Sequence, residues 1–65
     1  MTEQEMYDNI IELANKIVID ADTQEEMLEI DRQIEEYAKK NNIPEWIVDR
    51  AYIETGAGSF LSMQP

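Results

Sequence analysis

Residues 20–26, Asp20-Ala21-Asp22-Thr23-Gln24-Glu25-Glu26, decide how this chain folds. Thr followed three residues later by Glu has the form of a capping box. In that motif the hydroxyl and the carboxylate each satisfy a backbone N–H at a helix start. A helix is therefore predicted to begin at Thr23. The stretch before it, from about Thr2 to Asp20, also has a helical pattern, so only Asp20 to Asp22 join the two. A link that short sets the two helices antiparallel.

Working upstream at 100° per residue, Met6, Ile10, Leu13, Ala14, Ile17 and Ala21 share one face, and Tyr7, Ile11 and Val18 widen it. A stripe of roughly 160° suits contact with two neighbours. Glu5, Asp8, Glu12, Asn15 and Lys16 lie opposite. Thr2 and Glu5 repeat the capping-box spacing at the start. Downstream, Met27, Ile30, Ile34, Tyr37 and Ala38 form a narrower stripe of about 100°. Leu28 falls outside it. Acids at the beginning and Lys39 and Lys40 at the end complement the helix dipole. Glu12–Lys16, Glu35–Lys39 and Glu36–Lys40 have the favourable i,i+4 order. Asn41-Asn42 supplies a stop and turn.

A third helix is predicted from Pro44, at the first helical position, to about Thr55, with Gly56 as its cap. It carries two apolar patches. Ile47, Val48, Ala51 and Tyr52 make one face, while Trp46 and Ile53 make another. Glu45 and Asp49 separate the patches on one side, Arg50 and Glu54 on the other. A single helix hairpin does not easily cover both.

The fold expected from these patterns is all-α: an antiparallel hairpin with a third helix packed across it. The acidic three-helix domain spans residues 1–55, and an uncharged, apolar C-terminal tail spans 56–65. Leaving Phe60, Leu61 and Met63 in water costs about 1.5–3 kcal/mol for each large side chain. The tail is therefore expected to return to the body, with Phe60 or Leu61 over Trp46, or to join a partner.

Composition narrows the function. The 65 residues carry 15 acidic and five basic side chains, with no His and no Cys, for a net charge of -10. Disulfides, thiolate metal sites and imidazole metal sites are excluded. So small a chain then depends on helix packing or association for its stability. Carboxylates repel phosphate backbones and anionic lipid surfaces, so direct nucleic-acid and membrane binding are disfavoured. No apolar run approaches the roughly 20 residues of a membrane span. The first residues lack the basic and apolar regions of a signal peptide, and a cytoplasmic location is expected.

Asp20, Asp22, Gln24, Glu26 and Asp31 have the spacing of an EF-hand loop. That loop needs Gly at its sixth position and Glu at its twelfth. Glu25 and Asp31 stand there instead, and the capping box explains the same residues. Paired carboxylates such as Glu25/Glu26 and Glu35/Glu36 read as a solvated helix face rather than as acid–base groups. Ser59 and Ser62 have no His partner, and no glycine-rich phosphate cradle is present. The chain is expected to be no enzyme and to use no cofactor.

The expected function is a non-enzymatic protein-binding module, a small acidic inhibitor or regulator of a larger basic protein. Trp46, Ile53, Phe60, Leu61, Met63 and Leu28 are the candidate apolar contacts. Asp22, Glu25, Glu26, Glu29 and Glu36 are the candidate acidic contacts that steer a basic surface into place. Two alternatives share these residues. One is a structural homodimer that buries the first helix's wide stripe against the Trp46 patch. The other is a nucleic-acid mimic blocking a DNA-binding enzyme. In size and acidity the chain resembles phage-encoded inhibitors of host proteins, a likeness of composition that assigns no residue a role.

Overall fold

The computed structural model describes residues 1–62. All of its regular structure is helical: α1 (Glu3–Ile19), α2 (Gln24–Lys40), α3 (Glu45–Thr55) and α4 (Ala57–Ser62). The first helix begins as its spacing predicts. The Thr2 hydroxyl accepts from the Glu5 N–H at 3.1 Å, and the Glu5 carboxylate accepts from the Thr2 N–H at 3.0 Å. This reciprocal contact holds the Glu5 carboxyl below its ordinary value. At Thr23 the hydroxyl accepts from the Glu26 N–H at 3.2 Å, and the same hydroxyl donates to the Glu26 carboxylate at 3.3 Å. The cap at α2 is thus made on both sides through the Thr23 side chain.

The end of α2 is more exact than the Asn-Asn pair implies. Ile43 N–H donates to Ala38 C=O at 2.8 Å and Asn42 N–H to Lys39 C=O at 3.3 Å. These are the two bonds of a Schellman motif. Asn42 takes the left-handed conformation the motif needs (φ 55°). Ile43 is carried into the core beside Ala38. Pro44 lies one position earlier than expected: it is the extended N-cap of α3, and Glu45 is the first helical residue. Its carbonyl accepts from Ile47 N–H at 3.1 Å.

The core forms from the predicted stripes. Ile10, Ala14 and Ile17 of α1 meet Ile34 and Ala38 of α2, Ile43 of the turn, and Ile47 and Ala51 of α3. Met6, Tyr7, Ile11, Leu13 and Val18, with Met27, Ile30, Tyr37, Val48 and Tyr52, pack around them. Helix α1 is the hub, since α2, α3 and α4 each pack against it. The wide stripe serves that purpose within one chain. Ile10, Ala14 and Ile17 are fully buried, so the homodimer that buries this stripe against a second copy has lost one of its two faces.

The tail returns to the body as expected, but by a different route. Gly56 adopts φ 80° and redirects the chain, and α4 starts immediately after it. The Thr55 hydroxyl accepts from Ala57 N–H at 3.3 Å and donates to Ala51 C=O at 2.8 Å, which ties the two helices together. Ala57 is completely buried, and Leu61 packs on the core. The tail therefore returns to the body, and over Ala57–Ser62 it does so as a helix. Neither Phe60 nor Leu61 covers Trp46: among the described residues, the hollows beside that indole are lined by α1 and α3. The i,i+4 pairs Glu12–Lys16, Glu35–Lys39 and Glu36–Lys40 are also not closed. Among the described residues the ion pair is Arg32–Glu29, one turn apart. Exposed lysines lose rotamer entropy on pairing and gain little Coulomb energy in water, so open pairs are expected at such sites.

Candidate functional site

Helix α3 faces two ways, as its two apolar patches require. Ile47 and Ala51 are buried on α1, with Val48 and Tyr52 at the margin. On the opposite side Trp46 is 55% exposed and Ile53 is 79% exposed. They lie seven residues apart, which places them about 20° apart around the helix and two turns apart along it. Asp49, Arg50 and Glu54 complete the surface around them. On the α1 side a second hollow joins Trp46, Arg50 and Glu54 to Glu3, Gln4 and Tyr7. The core is closed without Trp46 or Ile53, and no buried side-chain polar atom in the described residues lacks a partner. The ridge lies outside the buried core.

A second feature was not visible in the sequence. Helices α2 and α3 both lie on α1 but make little direct contact with each other. A groove of about 650 Å³ opens between them. Its floor is Ala38, Ile43, Val48 and Tyr52. Asp31 and Glu35 stand on the α2 wall, and Glu45 and Asp49 on the α3 wall, with Lys39 as the basic residue in the lining. The Tyr52 hydroxyl donates to the Asp31 carboxylate and bridges the two walls. Burial, and secondly this bond, push the Tyr52 hydroxyl well above its ordinary value, so it stays a donor. Asp49 belongs both to the groove and to the Trp46 surface, which makes the two features neighbours.

The remaining predicted contacts are dispersed. Phe60 on α4 is 40% exposed and Leu28 on α2 is 46% exposed. Leu61 is partly buried on the core, and Met63 lies outside the described residues. Asp22 sits in the α1–α2 link and Glu26 at the α2 cap, both exposed. Glu25, Glu29 and Glu36 are on the outer side of α2, roughly 140–180° around the helix from the buried Ile34. The Arg32 guanidinium hydrogen-bonds Glu29 and holds its carboxyl below the ordinary value. The acids that meet apolar surface are thus Asp31, Glu35, Glu45 and Asp49 rather than the outer ones. Their only signal in the sequence was position: Asp31 and Glu35 lie 60–100° from Ile34 at about 100° per residue, bordering the buried stripe.

No family model, curated protein or solved structure matches this chain. Among the described residues no three metal-ligating side chains cluster, and no helix is long and apolar enough to cross a membrane.

Proposed function

We propose that this protein is a binding module that docks on a larger, basic protein through the exposed face of α3, and that it acts there as an inhibitor or regulator. The observation that carries the reading is the exposure of Trp46 and Ile53 beside a core that is complete without them. Trp is enriched among the residues that dominate binding energy, because desolvating an indole removes a large apolar area from water. The chain's charge of -10 sets the sign of the partner. A basic surface is drawn in over long range, and its approach slows as salt screens the field. The same charge opposes a second copy, because two such chains repel.

The test compares wild type with the double variant Trp46→Ala/Ile53→Ala as immobilised baits in extract of the native cell. Basic proteins retained by wild type at low salt should be lost from the folded double variant. Equal retention by a variant with unchanged helicity would remove the α3 ridge as the site.

A further inference from the structure

We infer that the groove between α2 and α3 receives a cationic amphipathic helix from the partner protein, an assignment that rests on the binding-module reading and deepens it. The geometry specifies the occupant. Helix α1 covers one side of the α2–α3 pair and α4 also packs on both helices, but among the described residues the groove between Asp31 and Tyr52 is lined by α2, α3 and the turn that joins them. A helix laid along the groove would pack against α2 and α3 together, as an amphipathic helix does in a groove between two helices. Its apolar residues, spaced three and four apart, meet the half-buried Val48 and Tyr52, behind which Ala38 and Ile43 close the floor. Its flanks pass between two carboxylates on each wall, Asp31 and Glu35 on one and Glu45 and Asp49 on the other. Lys or Arg on both flanks of the apolar stripe is the complement of that arrangement. An acidic or neutral helix would leave like charges, or carboxylates stripped of water, along both edges.

This chain does not supply such a helix itself. Its five basic residues are Lys16, Arg32, Lys39, Lys40 and Arg50, spread over three helices that each carry more acids than bases. A second copy therefore fails the charge test, and the occupant is a different protein. The Tyr52–Asp31 bridge fixes the spacing of the walls before binding, so the groove is preformed. The adjoining Trp46–Ile53 ridge, reached across Asp49, gives the same partner a second foothold outside the groove.

The probe is a synthetic amphipathic helix of about five turns, with Leu along one stripe and Lys on both flanks; its counterpart has Glu in place of Lys. Binding is followed by calorimetry and by amide chemical shifts. The Lys peptide should bind and shift the groove residues, Asp31, Glu35, Ala38, Ile43, Val48 and Tyr52 foremost, and the Glu peptide should not bind. Two charge-reversal pairs then separate a groove from general attraction. Glu35→Lys/Asp49→Lys alters the walls, whereas Glu25→Lys/Glu36→Lys makes the same change in net charge on the outer face. The wall pair should weaken the Lys peptide about tenfold or more, from two lost contacts and two new repulsions, and the outer pair less than about threefold. Trp46→Ala should leave the peptide's affinity nearly unchanged. Equal weakening by the two pairs, shifts centred on Trp46, or no binding by the Lys peptide would each overturn the groove assignment. The retention test with Trp46→Ala/Ile53→Ala is independent of these outcomes, so the groove can fail while the ridge stands.

Discussion

Ile47 and Ile53 offer a controlled comparison, because both are isoleucines on the same short helix and differ in what surrounds them. Ile47 is 1% exposed and Ile53 is 79% exposed. Replacing a fully buried Ile by Ala removes its transfer free energy and leaves a cavity, at about 2–5 kcal/mol. A chain of this length has a total stability of about 3–10 kcal/mol, so Ile47→Ala takes a large part of it. For Ile53 only about a fifth of the side chain is hidden. Full burial is worth about 1.5–3 kcal/mol, so that fifth amounts to ~0.3–0.6 kcal/mol. Ala is the better helix former by a few tenths of a kcal/mol, which offsets the loss. Ile53→Ala is therefore expected to be neutral within about 0.5 kcal/mol. Thermal and urea unfolding followed by circular dichroism measure both. In a domain of this size 1 kcal/mol moves Tm by about 4–8 °C, so Ile47→Ala should melt at least about 8 °C lower and Ile53→Ala within about 4 °C of wild type. A drop at Ile53 as large as that at Ile47 would refute the reasoning, for it would mean that Ile53 is packed and not free to bind.

Two further outcomes follow from particular groups. Tyr52→Phe removes the bridge to Asp31 and should cost about 0.5–1.5 kcal/mol. Burial raises the Tyr52 hydroxyl's ionisation in the folded state above the unfolded value near about 10, so its contribution is complete below that pH and is lost as pH rises through the folded value. Urea titrations of wild type and variant should accordingly converge at high pH, and an unchanged gap between them would count against the bridge. The two glycines should respond oppositely to Ala. At Gly56 a Cβ meets nothing within 4 Å, but φ 80° penalises any L side chain by about 1–2 kcal/mol, whereas at helical Gly58 the added Cβ makes ordinary contact with Tyr52 Cβ at 4.0 Å and raises helix propensity. Equal Tm shifts of the same sign would contradict this.

The helices and most of the core were legible because each depends on residues close in sequence. Thr2 with Glu5 and Thr23 with Glu26 mark helix starts by local chemistry, and Ile10, Ala14 and Ile17 mark a face by period. The two-faced α3 was legible for the same reason, since Ile47 and Ile53 fall about 120° apart on any helix drawn through them. Helix α4 was not. Six residues are too few to show a period. Its docking depends on the left-handed turn at Gly56 carrying the small Ala57 into a space that only tertiary packing defines. The groove was hidden for a related reason. It arises from the separation of α2 and α3 on α1, which neither helix encodes alone, and it unites Asp31 with Tyr52 across 21 residues of sequence. The Asn9 side chain donates to the Tyr37 hydroxyl at 3.0 Å across 28 residues, another polar contact that helical periodicity cannot reveal.

The sole tryptophan makes its own reporter. Collisional quenching of its fluorescence by acrylamide, in the isolated protein at micromolar concentration, asks directly whether the α3 ridge stands in water. Substantial quenching, intermediate between a free indole and a buried one, is expected from a side chain 55% exposed. Emission that acrylamide barely reaches, in a sample shown to be monomeric, would contradict it and remove the surface on which the proposed binding rests.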